Sequence, residues 1–440
     1  MKPGTLLAAM VIGGVSLLRA AEAPLPKAPD SPLADVNAQL PAWLRFSGEL
    51  RARGEGFLSN RFVNGNDDLY LLQRVRLALD VRLSPWLRFY VQGQDSRVSF
   101  TDRVAAAPPL QDSADLRQAY VQFGSRESRW LDLTAGRQEL AFGEERLVGG
   151  GNWGNVARSF DALKLGLHHR KTRVDIFASS VVTARDHRFD RHIAGDNLHG
   201  IYGQLGSWIP QSTIEPYLLW RLAPSVLSET KGPGRLDTKT LGLRWAGQVP
   251  GKSEYAFEAA AQTGSWGSDT MRAWAVFGRF GHEFSGLGFN PRLRLELNRA
   301  SGDHRPDDGH HGTFDVLYPT PHDKYGLTDQ VGWKNINHIG FIAEIKPRAS
   351  LVLQSRAHDW WLASARDGLY NAGGTLLVRD TTGRSGSHVG KELDFQVIWS
   401  PNKHVGIAGG LGHLFPGEFL TRTTPGRGYT FPYVQLTYGL

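Results

Sequence analysis

The sequence contains no cysteine, and Met271 is its only methionine beyond residue 10. A disulfide framework, a thiol nucleophile and thiolate-based zinc sites are therefore excluded. Long apolar runs are scarce as well. The one stretch of that kind, residues 6–18, is shorter than the roughly 20 residues that span a bilayer as a helix, and nothing comparable follows it. Catalytic signatures are missing too: there is no Gly-x-Ser-x-Gly elbow and no His-Glu-x-x-His run to organise residues such as Ser159, His168, Ser355 and His358. Gly149-Gly150-Gly151 and Gly406-Ile407-Ala408-Gly409-Gly410 lack a strand-to-helix context, so they read as turn and strand glycines and not as phosphate cradles. No enzyme is expected. A net charge of +7 over 440 residues is too mild for a nucleic-acid partner.

What is present begins with an address. Lys2 precedes the apolar run, and Ala21-Glu22-Ala23 follows it, the pattern of a signal peptide cleaved after residue 23. Cleavage removes Lys2, Arg19 and Glu22, lowering the net charge from +7 to +6. Residues 24–41 are Pro-rich and read as an unstructured spacer. Export is implied, and retention in a membrane needs a device other than a helix.

The last eleven residues supply that device. Val434, Leu436, Tyr438 and Leu440 fall on one face of a period-two pattern, and Tyr433, Gln435, Thr437 and Gly439 on the other. A final strand with an apolar outer face is what closes an outer-membrane β-barrel. The same alternation recurs upstream. Leu44, Phe46, Leu50 and Ala52 oppose Arg45, Ser47, Glu49, Arg51, Arg53 and Glu55, while Val75, Leu77, Leu79, Val81 and Leu83 oppose Arg74, Arg76, Asp80 and Arg82. Short turns are expected at Ser84-Pro85, His169-Arg170-Lys171, Lys346-Pro347-Arg348 and Ser400-Pro401-Asn402, and long connections around 181–196, 301–334 and 361–388. At roughly 23 residues per strand with its share of connection, the span 42–440 holds about 18 antiparallel strands with short periplasmic turns and long extracellular loops. Soluble β-sandwiches also alternate. They do not keep one charged face in strand after strand without a linker, and the barrel is the expected fold. Trp43, Trp86, Trp130, Trp208, Trp220 and Trp399 then suit the interfacial belts.

Between residues 136 and 161 the chain reads Gly136-Arg137-Gln138-Glu139-Leu140, Gly143-Glu144-Glu145-Arg146-Leu147-Val148-Gly149, Asn152-Trp153 and Arg158-Ser159-Phe160-Asp161. Further on come Ala300-Ser301-Gly302-Asp303, residues 312–320 (GTFDVLYPT), Lys324-Tyr325-Gly326-Leu327, Tyr370-Asn371-Ala372-Gly373-Gly374 and His388-Val389-Gly390-Lys391-Glu392-Leu393-Asp394. In order and spacing these resemble the alginate-export porin family of bacterial outer membranes. The resemblance implies a monomeric 18-stranded barrel in outer-membrane lipid, an Arg-rich constriction passing an anionic polyuronate, loops that fold in as gates, and periplasmic secretion proteins as partners.

Strand parity places Arg45, Arg51, Arg53, Arg74, Arg76, Arg82, Arg88, Arg244, Arg292, Arg294 and Arg356 on the lumen wall. Glu49, Asp80, Glu296, Glu392 and Asp394 share that face. A guanidinium stays charged at physiological pH and binds carboxylate through a planar fork, so a series of them can pass a polyuronate from site to site. The plainer reading is a paired, solvated lining common to many barrels. Arg137 and Glu139 share parity with the lipid-facing Leu131, Leu133 and Ala135. They are expected to have left the membrane, placing Arg137, Glu139 and Arg146, together with Arg158 and Asp161, at the outer rim or tucked into the pore. Residues 301–333 are rich in Asp and His. A polar loop closing the mouth is the favoured reading, with bound calcium as the exception and no other cofactor expected.

The sequence therefore points to an outer-membrane porin that passes alginate-like polysaccharide or other carboxylated solutes by passive, anion-selective diffusion. A general or small-anion uptake porin is the first alternative, and a barrel hydrolase the second.

Overall fold

In the computed structural model, residues 32–125, 130–206, 209–228 and 232–440 are described. The signal peptide, the start of the spacer and Trp208 lie outside them.

Eighteen antiparallel strands form one closed barrel. They are β1 (Leu44–Phe57), β2 (Asp68–Ser84), β3 (Leu87–Ser99), β4 (Asp112–Gly124), β5 (Leu131–Gln138) and β6 (Phe160–His169). Next come β7 (Thr172–Thr183), β8 (Arg191–Leu205), β9 (Ser212–Leu227), β10 (Pro233–Val249), β11 (Ser253–Trp266) and β12 (Asp269–Glu283). The circuit ends with β13 (Arg292–Ala300), β14 (Ile336–Arg348), β15 (Leu351–Leu362), β16 (His388–Trp399), β17 (Val405–Pro416) and β18 (Tyr429–Gly439). β18 pairs with β1 from Glu49↔Gly439 to Glu55↔Tyr433. Closure removes every sheet edge, which is how strands cross hydrocarbon with their backbone groups satisfied.

Alternation decides which side each residue takes. Leu50, Val75, Leu77, Val434 and Leu436 face outward and are exposed to the lipid side, whereas Arg51, Arg53, Arg74 and Arg76 are buried inside. Trp43, Trp86, Trp130, Trp220 and Trp399 all lie on the exposed surface.

Three local expectations change. Residues 32–39 are helical (α1, Pro32–Gln39), with Pro at the first position and Asp35 in the first turn, both favourable there. Asn37 ties this helix to β1 by exchanging two 2.8 Å hydrogen bonds with the backbone of Phe46. The stretch 181–196 is largely strand: β7 runs to Thr183 and β8 starts at Arg191, with a register shift that takes Ser180↔Asn197 to Val182↔His192. Pro347 sits inside β14 at a register shift between Ile345 and Arg348, where the missing N–H costs no ladder bond, and the turn moves to residues 349–350.

The lumen is not an open tube. Two connections at the long-loop end, residues 139–159 and 301–335, fold inward and build an apolar core with the wall. Leu140, Leu147, Phe314, Leu327 and Trp333 from these connections pack among Phe160, Leu198, Met271 and Trp360 from the strands. The two connections also pair with each other. Gly149 N–H donates to the Tyr318 carbonyl at 2.9 Å and Tyr318 N–H to that of Leu147 at 2.8 Å. Arg158 fastens the junction, donating to the carbonyls of Gly149, Tyr318 and Pro319 at 2.8–3.0 Å.

Candidate functional site

The inserted segment 139–159 meets the wall at a ladder of arginines on β1, β2 and β4. Arg51 donates to the carbonyls of Asn152 (3.0 Å), Trp153 (3.2 Å) and Gly154 (3.0 Å). Arg74 reaches the carbonyls of Asn152 and Gly154, both at 3.0 Å, and Arg76 reaches the Asn152 side-chain oxygen at 3.0 Å. Arg53 donates to the Trp153 carbonyl at 2.7 Å, and its guanidinium lies 3.8 Å over the Trp153 ring. On the other face of that indole, His322 from the second inserted segment stacks at 3.6 Å between centroids. Trp153 is thus sandwiched between a wall arginine and the neighbouring segment.

Charge is only partly compensated here. Arg53 pairs with Glu55 at 2.6 Å, Arg74 with Glu49 at 2.6 Å, and Arg117 with Glu139 at 2.9 Å. Among the described residues, no carboxylate lies within ion-pair distance of Arg51 or Arg76. Their hydrogen bonds go to neutral oxygens and to Gln94, which accepts from Arg76 Nε at 2.7 Å. A neutral acceptor satisfies a donor without cancelling its charge, so this face of the lumen stays positive.

The opposite wall is balanced. Glu144 of the inserted segment receives Arg279 at 2.7 Å, Arg244 at 3.1 Å and Arg146 at 3.7 Å. Arg146 continues to Glu296 at 3.2 Å and stacks 3.5 Å over Phe277, while Arg244 also pairs with Glu215 at 2.9 Å. Burial pushes the Glu144 carboxyl up, but Arg279, Arg146 and Arg244 outweigh it and hold the group well below the usual carboxylate range. Burial lowers the Arg158 guanidinium to about 10, still charged at neutral pH. In the second segment Asp323 pairs with Arg356 at 3.0 Å, which holds its carboxyl at about 2 against the opposing effect of burial. Leu327 N–H donates to Asp394 at 3.1 Å, and the Thr328 hydroxyl bonds Glu392.

Towards the short-turn end the lining opens. Arg82 and Arg88 share Asp80 at 3.1 and 2.8 Å, and Arg45 is exposed and donates to the carbonyls of Pro41 and Leu44. Arg292 pairs with Glu283 at 2.8 Å, and Arg294 bridges Glu254 and Glu344 at 2.7 and 3.3 Å.

Arg137 lies next to last in β5, at its long-loop end. β5 does not end before Arg137: its register with β4 runs unbroken to Ala119↔Arg137. Arg137 keeps the parity of Ala135, yet it is buried along with Gln138, because it pairs with Asp161 of β6 at 2.9 Å and donates to the Asp190 carbonyl at 2.9 Å; Gly136 before it sits at φ +124°. A side chain at residue 136 would meet the Ala119 carbonyl at 2.3 Å, so only glycine fits. Glu139, Arg146 and Arg158 lie in the inserted segment itself.

The carboxylates and imidazoles of 301–333 do not converge. Asp315 pairs with Arg221 at 2.7 Å, His322 with Asp329 at 2.7 Å, and Asp303 accepts the N–H groups of Arg305 and Gly312 at 2.7 and 2.8 Å. Calcium has no assembled donor set there among the described residues.

A family model described as alginate export matches residues 42–432. The chain belongs to the alginate export family. It is an outer-membrane β-barrel of a family of porins. Among solved structures it resembles Pseudomonas aeruginosa OccK8 (OprE), at 11% identity and a TM-score of 0.59, over 90% of this chain and 98% of that one. It also resembles P. aeruginosa OccK11 (OpdR), at 13% identity and 0.58, over 90% and 96%. P. aeruginosa OccK2 (OpdF) in complex with glucuronate matches at 10% identity and 0.59, again over 90% and 96%. At such identities the likeness is one of fold. No curated protein matches the chain in sequence.

Several residues that build this site escape strand parity. Arg117 is inward because a register shift separates Gln92 and Gly93, whose partners are Gln118 and Leu116, leaving Arg117 as the extra residue. Arg279 follows Met271, Ala273, Ala275 and Phe277 on its inward face, an apolar run that does not signal it. Arg117, in Leu116-Arg117-Gln118-Ala119-Tyr120-Val121, stands like Asn152 and Trp153 in a stretch that resembles the family.

Proposed function

We propose that this barrel passes alginate-like polyuronate, or other carboxylated solutes, by passive diffusion past the arginine ladder of β1 and β2. The observation that carries this reading is the pair Arg51 and Arg76, buried guanidinium groups without a carboxylate partner among the described residues, which both hold the Asn152–Gly154 stretch from one wall. A carboxylate entering there finds guanidinium forks whose present contacts are neutral oxygens, which it can displace one at a time. Contacts that are individually replaceable are what conduction requires. The inserted segments act as the gate. The barrel works as a monomer in outer-membrane lipid, with periplasmic secretion proteins delivering polymer.

A second reading, uptake of small carboxylated solutes, is favoured by the narrowing of the lumen by two segments and by the glucuronate held in the OccK2 structure. Planar-bilayer recordings separate the two. An exporter is expected to show anion selectivity and block by acidic oligouronates of several residues, with neutral oligosaccharides of equal length inert. Passage of monomeric uronate without block by longer oligomers favours uptake, and indifference to all of them overturns both.

A further inference from the structure

Outside the arginine ladder, a second cluster gathers three carboxylates without a basic partner among the described residues. Asp112 and Asp115 at the start of β4 and Asp190, immediately before β8, bring carboxylate oxygens within 4.8 Å of one another. Asp115 accepts the Asp190 N–H at 2.6 Å and that of Leu116, and Asp190 accepts the Arg185 N–H at 2.7 Å. Asp112 is 4% exposed, and its Oδ1 has no hydrogen-bond partner. Among the described residues, no basic side chain forms an ion pair with any of the three. Arg117, which lines the same cavity, is committed to Gln92, Asn152 and Glu139, and Arg137 gives its N–H to the Asp190 carbonyl and not to its carboxylate. The cavity measures about 30 Å³, room for one ion or water, and Val156, Ala157 and Ser159 of the inserted segment complete its wall.

Two buried carboxylates and a half-buried third, with an orphaned oxygen and no basic partner, are costly as anions unless a cation or a bound proton offsets their repulsion. We propose that Asp112, Asp115 and Asp190 bind one calcium ion, which ties the start of β4 to the loop before β8 beside the return leg of the inserted segment. Hard carboxylate oxygens suit calcium, and oxygens gathered within 4.8 Å of one another can all reach a single ion at about 2.4 Å. Calcium also accepts the irregular ligand set that a strand start and a loop supply, whereas magnesium demands a near-ideal octahedron at about 2.0–2.1 Å.

The test uses the full-length protein, stripped with chelator in lipid-free detergent at constant ionic strength. Terbium is expected to bind with one-to-one stoichiometry and to be displaced by calcium at concentrations at least tenfold below those of magnesium. Asp112→Asn combined with Asp190→Asn is expected to weaken terbium binding at least tenfold. Crystals of the wild-type protein soaked in terbium should give an anomalous peak between the three carboxylates, a readout that does not depend on the variant folding. Equal displacement by magnesium, unchanged binding in the variant, or an anomalous peak elsewhere would each overturn the proposal.

Discussion

The two sides of the lumen use arginine for opposite ends. On the β1–β2 wall, Arg51 and Arg76 hold the inserted segment through its carbonyl and amide oxygens, and their charge stays uncancelled. On the β10–β13 wall, Arg244 and Arg279 hold the same segment through Glu144, and Arg292 and Arg294 are matched to Glu283, Glu254 and Glu344. Both walls bind the segment, but only the first leaves a field for a passing anion. An arginine count therefore says little about selectivity. What matters is whether the acceptor opposite each guanidinium carries charge.

The largest expected effect comes from breaking the balanced side. In Glu144→Gln, Arg279 loses its carboxylate partner, and Arg244 and Arg146 keep only Glu215 and Glu296. Breaking a largely buried ion pair of this kind costs about 3 kcal/mol, which falls on the docking of the segment. Single-channel recordings should show higher conductance with frequent open transitions, and limited proteolysis should cut within 139–159. Unchanged conductance and protection would mean that the carbonyl contacts on the other wall suffice.

A smaller effect sharpens the comparison itself. Arg51→Gln with Arg76→Gln should move the reversal potential in a tenfold salt gradient towards zero, lowering the anion-to-cation permeability ratio several-fold. Arg292→Gln with Arg294→Gln removes the same formal charge from pairs that are already neutralised and should change the ratio less than twofold. If the second pair has the larger effect, the distinction between charged and neutral acceptors fails as the basis of selectivity.

Much of this was legible in the sequence, and the limits have physical reasons. The period-two pattern carries the barrel because lipid and lumen demand opposite chemistry of neighbouring residues, so Leu50 and Arg51 separate without knowledge of their contacts. Parity stops being informative where the backbone breaks it, as where the shift near Gly93 turns Arg117 inward, and it does not foretell burial at the rim, where Asp161 and the Asp190 carbonyl hold Arg137. Pairing was beyond reach altogether. Nothing in Arg51 or Arg294 as letters distinguishes a guanidinium facing the Asn152 carbonyl from one facing Glu254, because the partners lie 101 and 40 residues away. The Asp112–Asp115–Asp190 cluster was hidden in the same way, split between a strand start and a short loop, while the conspicuous acids of 301–333 turned out to be dispersed.

The smallest effect is expected from acidification, and its sign follows from the two inserted carboxylates. Asp323 is held at about 2 by Arg356, and Glu144 is also depressed below its ordinary value. A depressed carboxyl contributes stability that is fully present above its unfolded value, about 3.9 for Asp and 4.3 for Glu, and is lost only as pH falls through the folded one. Between pH 8 and pH 5 both pairs should stay intact on either wall, and conductance should be flat. Below pH 4 their contribution starts to decline, with Arg356 released from Asp323 only near pH 2. Conductance measured at constant ionic strength across this range checks the point. A step between pH 5 and 7 would show that the segments are held by something other than these carboxylates.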